Sequence, residues 1–108
     1  MFKALVLAML FSLHVNAATT CTTYTGTGSS AVGLAANKNR LDLTVQNTSG
    51  SALTVYMTFG AALATAEYIS LAQGVIWQPN LSVPTDAVYI KAASGSPTVT
   101  FCETVKSL

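Results

Sequence analysis

Two cysteines carry the most specific chemistry in this sequence. Cys21 and Cys102 lie near opposite ends of the 108-residue chain. In an oxidising compartment an even number of cysteines most simply forms disulfides, and two cysteines allow one pairing within a chain. The spacing is not that of a C-x-x-C redox motif. We therefore expect a structural Cys21–Cys102 disulfide that makes the first and last strands neighbours. Two free thiols or an intermolecular bridge are the alternatives.

Catalytic side chains are scarce. The single histidine, His14, lies in a segment that we expect to be removed, so a Ser-His-Asp, a Cys-His or a His-based metal site is not expected. The carboxylates are widely spaced, which excludes a local metal loop; they are Asp42, Glu67, Asp86 and Glu103. A net charge of +1 cannot supply the basic surface of a nucleic-acid binder. We predict a protein that is not an enzyme, with no cofactor and no nucleic-acid partner.

Residues 1–17 have the organisation of a secretory signal peptide. Lys3 precedes an apolar run over residues 4–13, and Val15 and Ala17 place modest side chains at the −3 and −1 positions. The run is half of the roughly 20 residues that a membrane-spanning helix needs. We expect cleavage between Ala17 and Ala18 and an exported protein (periplasmic, extracellular or on a virion surface) without a stable membrane span. A retained anchor is the alternative.

The remaining residues, 18–108, form a series of short β segments. Residues 40–46 alternate apolar and polar side chains, with Leu41, Leu43 and Val45 on one face. Residues 53–59 continue the alternation with apolar side chains at every odd position, and Asn, Ser and Gly between the two segments favour a turn. We expect these two segments to form a hairpin with one buried face.

Six to eight such strands, separated by turn signals and without a helical period, predict an all-β fold. We expect a single domain over residues 18–108, built as a small antiparallel β-sandwich of jelly-roll or immunoglobulin type. Fifteen threonines follow the signal segment. Threonine is β-branched and polar without charge, so we expect it on strand faces that meet water.

Three aromatic residues are candidates for ligand or interface contacts. Trp77, Tyr56 and Tyr89 could form a platform on which a sugar ring stacks, together with Tyr68. The alternative is structural, because single tyrosines on the polar face of a strand are ordinary cross-strand partners. In that interpretation Trp77 fills the core or its rim.

Four segments follow one another in a distinctive order: RLDLTVQNTSGSALTVYMTFG (40–60), ISLAQG (69–74), VPTDAVYI (83–90) and VTFCE (99–103), with Trp77 after the second. In this order they resemble small β-sandwich virion proteins of bacteriophages, of the head-fibre, capsid-decoration or tail-associated type. They are patterns of strands and turns and contain no catalytic signature. The signal peptide and the disulfide depart from that family, whose members assemble in the host cytosol and need neither.

The resemblance implies a non-enzymatic structural protein of a phage virion or surface assembly. Such a protein would act through protein–protein interfaces, with coat proteins or copies of itself as partners. The alternative function is a secreted binding module that recognises a cell-surface glycan or protein through Trp77 and the exposed tyrosines.

Overall fold

Eight strands make up the described part of the chain. A computed structural model describes residues 16–63 and 68–107; most of the predicted signal peptide lies outside the described residues. The strands are β1 (Ala17–Thr25), β2 (Ala31–Leu34), β3 (Arg40–Asn47), β4 (Val55–Phe59), β5 (Ile69–Leu71), β6 (Ile76–Trp77), β7 (Val88–Ala92) and β8 (Thr98–Lys106). These residues include no helix, and hence no helix long and apolar enough to cross a membrane.

The strands form two four-stranded antiparallel sheets. Sheet A has the order β1-β8-β3-β6 and sheet B the order β2-β7-β4-β5. The first strand pairs with the last, the second with the last but one, and so on inward. These nested pairs are β1·β8, β2·β7, β3·β6 and β4·β5. This strand order is that of a jelly roll. The prediction of a small all-β antiparallel sandwich is confirmed, and the jelly-roll alternative is the one observed.

The core lies between the sheets and follows the alternation of the strands. In β7, Val88, Ile90 and Ala92 are buried while the residues between them are half-buried. Phe101 of β8 is the largest fully buried side chain. The other members of the core cluster are Leu34, Leu43, Val45, Val55, Met57, Leu71 and Val99. The period of two therefore assigned the faces of most strands correctly.

The predicted hairpin between β3 and β4 is wrong, because the two strands belong to different sheets. Asn47 explains how the chain crosses from one sheet to the other. Its side chain is fully buried, and Nδ2 donates to the carbonyl oxygens of Leu53 at 2.7 Å and Leu71 at 2.9 Å. Its Oδ1 accepts from the backbone N–H and the hydroxyl of Ser49. Asn47 therefore ties the β3–β4 connection to sheet B.

The first residues of β3 also differ from the prediction. Leu41 is 46% exposed, although it was expected on the buried face, and Arg40 is 4% exposed. The pairing of β3 with β8 shifts register between Arg40 and Asp42. Such a bulge moves side chains to the other face of the strand. It thus turns Arg40 inward and Leu41 toward solvent.

Candidate functional site: the open edge of sheet A

The first strand is bound covalently to the last. β1 pairs with β8 without interruption from Ala17↔Lys106 to Thr25↔Thr98, and Cys21 lies directly opposite Cys102. The two Cα atoms are 4.1 Å apart and the side chains form a disulfide. The expected pairing and the expected neighbourhood of the first and last strands are both observed. Because Cys21 is the central residue of β1, the bond fixes the strand at its midpoint.

The backbone of β1 has a defined orientation. Just beyond its ends, the carbonyl of Asn16 accepts from the N–H of Ser107, and the N–H of Gly26 donates to the carbonyl of Pro97. In an antiparallel ladder, residues that bond to the partner strand alternate with residues that do not. The even-numbered residues of β1 therefore bond to β8. The odd-numbered residues point both N–H and C=O away from it; they are Ala17, Thr19, Cys21, Thr23 and Thr25.

No described strand pairs with this outer side of β1. Unpaired edges invite other strands, and proteins usually protect them with charge, proline, bulges or short length. The other three edge strands are short: β6 has two residues, β5 has three, and β2 has four with a register shift. β1 has nine residues, AATTCTTYT, without a charge, a proline or a bulge. It is the one long edge without protection in the described chain.

β1 is also exposed on its faces. Every residue of the strand except Tyr24 is exposed, and Tyr24 alone packs against the core cluster. β1 therefore extends beyond the area covered by sheet B. Among residues 16–63 and 68–107, nothing covers its backbone edge, which is open to another chain.

The outer face of sheet A carries a regular array of threonines around the disulfide. Three strands contribute in register: Thr19, Thr23 and Thr25 from β1, Thr98, Thr100 and Thr104 from β8, and Thr44 from β3, with Thr48 just beyond it. Hydroxyl groups bond across this face, Thr19 to Thr104 at 2.7 Å and Thr48 to Thr100 at 2.8 Å. The expectation that threonine occupies strand faces in contact with water holds here.

The structure does not bring the three candidate aromatic residues together. Trp77 lies opposite Val45, which is fully buried, so it belongs to the inner face of sheet A. Its ring centroid is 5.0 Å from that of Phe59. Tyr56 and Tyr89 alternate with buried residues of β4 and β7 and thus lie on the outer face of sheet B. A platform that combines Trp77 with these tyrosines is not formed.

Sheet B offers a smaller apolar site. The rings of Tyr56 and Tyr68 lie 4.4 Å apart, measured between centroids. Beside them, a shallow depression of about 380 Å³ is lined by Met57, Thr58, Phe59, Tyr68 and Ile69. Its lining contains no carboxylate, cysteine or lysine. Across residues 16–63 and 68–107, no three His, Cys, Asp or Glu side chains are placed to hold a metal ion.

Arg40 is a buried charge that the sequence pattern did not reveal. Its side chain is fully buried, and all three guanidinium nitrogens are bonded. Nε donates to Glu103, Nη2 to the carbonyl of Ala35, and Nη1 to the carbonyls of Pro84 and Asp86. With these partners Arg40 joins β8 and the residue after β2 to the loop before β7, which is a structural role. The bulge that buries Arg40 has no signal in the sequence.

The jelly-roll fold relates this chain to solved structures. No known protein-family model matches the chain, and no curated protein matches its sequence. A structure from Bacillus endospore appendages, described as a novel family of disulfide-linked pili, is similar with a TM-score of 0.56 and 19% identity, over 85% of this chain and 86% of that one.

A cupin protein from Bacteroides fragilis is similar with a TM-score of 0.50 and 22% identity, over 89% of this chain and 70% of that one. At these identities both similarities show a shared fold and no more. Neither structure is a bacteriophage protein, so the resemblance noted in the sequence stays a hypothesis.

Proposed function

We propose that this chain is an exported structural protein whose copies assemble through protein–protein interfaces. The observation that carries the proposal is the open, unprotected edge of β1, held in place by the Cys21–Cys102 disulfide. A free edge of this length offers main-chain donors and acceptors to an added strand. The structural relative from disulfide-linked pili supports a role of this kind.

The disulfide favours assembly because it keeps the edge ordered. A strand fixed at its midpoint loses less conformational entropy on binding than a free segment does. On the outer face of sheet A the charged side chains beside the edge are Asp42 and Lys106, and Glu103, opposite Thr20 on the other face, is paired with Arg40, so two copies meet without strong repulsion. The disulfide also suits an oxidising compartment outside the cytosol.

Two kinds of assembly are compatible with this proposal, a surface fibre and a phage coat. A surface fibre agrees with the export signal expected at residues 1–17 and with the pilus relative. The only support for a phage coat is the resemblance of residues 40–103 to virion proteins of bacteriophages. Both are non-enzymatic roles, and both place the function of the protein in its contacts with copies of itself or with a coat.

Light scattering after size-exclusion chromatography, with electron microscopy of the same fractions, tests the proposal. We expect the exported wild-type protein to shift from monomer to oligomer, beginning with a dimer, as the concentration rises. Thr23→Lys should shift the equilibrium toward monomer, because a charge within β1 protects the edge. Thr85→Lys adds the same charge at an exposed loop and should assemble like wild type. A protein that stays monomeric up to its solubility limit would contradict the proposal.

A second candidate function is a secreted binding module for a glycan or a protein surface. The pairing of Tyr56 with Tyr68 beside the apolar depression favours it, because sugar rings stack on aromatic faces. Binding to a glycan array that Tyr68→Ala abolishes, while Tyr89→Ala retains it, would support this function. No binding by the folded wild-type protein would exclude a glycan of that array as the ligand.

A further inference from the structure

We infer that β1 pairs antiparallel with β1 of a second copy of this chain, with Cys21 opposite Thr23 of the second copy. The inference rests on the proposed function and names the partner and the register of the interface. It would join two copies of sheet A into one continuous sheet in which the two β1 strands are central.

The outer edge of β1 is complementary to itself. With cleavage between Ala17 and Ala18, its outward residues are Thr19, Cys21, Thr23 and Thr25, which are spaced symmetrically about Thr22. In an antiparallel pair centred on Thr22, Cys21 lies opposite Thr23 of the second copy and Thr19 opposite Thr25. Each such pair exchanges two main-chain hydrogen bonds. Every outward N–H of the strand then meets an outward C=O.

Other registers and other edges satisfy fewer of these groups. A slip by one residue would bring even-numbered residues to the interface, and their N–H and C=O groups already bond to β8. A slip by two residues would leave outward groups unpaired at the ends. The edge strands β2, β5 and β6 have four residues or fewer, so each would leave much of β1 without partners.

The side chains agree with this pairing. β1 carries no charge, so the two-fold relation brings no like charges together. On the outer face, Thr19 lies beside Thr25 of the second copy, a favourable cross-strand pair of β-branched hydroxyl residues. On the other face, Thr22 lies beside Thr22 of the second copy. The threonine array of the two copies becomes continuous across the interface.

Amide hydrogen exchange on the wild-type protein, resolved by residue with NMR, tests the inference. The amides of Thr19, Cys21 and Thr23 should exchange fast in the monomer and become protected at concentrations where light scattering shows the dimer. The amides of Thr20 and Thr22 bond to β8 and should be protected in both states, which makes them internal controls. Protection of the outward amides therefore reports the new interface alone.

The register has its own readout. In a dimer of differently isotope-labelled copies, we expect an intermolecular Hα–Hα contact between Thr20 and Tyr24 of the second copy, because these residues form a pair without hydrogen bonds. Thr23→Pro removes one outward donor in each copy and keeps the bonds to β8. It should weaken the dimer about 30-fold, while Thr23→Ala should change it by less than about threefold.

The possible failures are distinct. Assembly in which the outward amides of β1 stay unprotected would overturn the β1–β1 interface and leave the structural function in place. Protected outward amides without the Thr20–Tyr24 contact would overturn the register. A wild-type protein that is monomeric at every concentration would overturn the inference and the proposed function together.

Discussion

Nε of Arg40 lies 2.8 Å from Oε2 of Glu103, in a place where the guanidinium has no contact with solvent. A buried charge of this kind is tolerated when its partners satisfy it geometrically. Here the Glu103 carboxylate accepts a hydrogen bond from Nε, and three carbonyl oxygens accept hydrogen bonds from Nη1 and Nη2. The planar fork of arginine reaches all of them from one position, which an ammonium group cannot do.

Replacing Arg40 should therefore destabilise the fold strongly. Arg40→Ala leaves Glu103 and three carbonyls without their donor, and we expect a loss of about 3 kcal/mol in the free energy of unfolding. Arg40→Lys restores the charge but not the fork, so it should recover only part of that loss. Urea denaturation followed by circular dichroism measures both variants. An Arg40→Ala protein as stable as wild type would show that the network contributes nothing.

The disulfide should account for much of the stability. Cys21 and Cys102 are 81 residues apart in sequence, and a crosslink over such a loop contributes about 4.5 kcal/mol through the entropy of the unfolded chain. We expect the C21S/C102S variant to unfold at a much lower urea concentration than wild type. Dithiothreitol should lower the wild-type midpoint toward that of the variant and leave the variant itself unchanged. Coincident midpoints without reductant would contradict this prediction.

Gly33 should be intolerant of a side chain, because the strand passes close to the core at this point. A Cβ at position 33 would lie 2.9 Å from Ile90 Cγ1 and 3.0 Å from Phe101 Cζ. Both neighbours are fully buried, so we expect Gly33→Ala to cost about 1–3 kcal/mol. Gly28 has nothing within 4 Å of its Cβ position and provides the matched control. If Gly33→Ala and Gly28→Ala unfold at the same urea concentration, a Cβ at position 33 does not clash with Ile90 and Phe101.

Trp77 should contribute to stability and not to a surface site. It is the single tryptophan and packs against Phe59, so its fluorescence should shift to longer wavelength when the core opens. Trp77→Ala should lower the stability by roughly 2 kcal/mol or more. Tyr89→Ala, on the outer face of sheet B, should cost less than about 1 kcal/mol. Thermal and urea unfolding measure the loss of stability in each variant. Equal losses in Trp77→Ala and Tyr89→Ala would show that Trp77 is a surface residue.

The sequence predicted local alternation well and the connections between strands less well. The faces of β7, β8 and most of β3 follow from a period of two in apolar residues. The neighbourhood of β1 and β8 followed from the cysteines, since a disulfide is a long-range constraint visible in one sequence. The hairpin expected between β3 and β4 failed because turn residues at 47–51 are compatible with a reversal inside one sheet and with a crossing between sheets.

Features that depend on distant residues were not predictable. Trp77 belongs to a strand of two residues, too short for an alternating pattern that would show its face. The burial of Arg40 depends on a bulge and on carbonyl groups more than 40 residues away. The open edge of β1 depends on the strand order, because a sequence does not reveal which strand has only one neighbour.

The position of the disulfide also determines how the molecule would respond to a pulling force. After the expected cleavage β1 begins at Ala18, beside Val105 of β8, so tension between Ala18 and Ser107 would peel β1 from β8 one hydrogen bond at a time. Peeling would stop at Cys21 and Cys102, where the load passes through a covalent bond. Peeling the end of β8 also breaks its pairing with the start of β3. Strands β2 to β7 lie inside the closed loop and would carry none of the tension that passes through the disulfide. Under load, the protein would lengthen by a few residues at each end while its core stays folded.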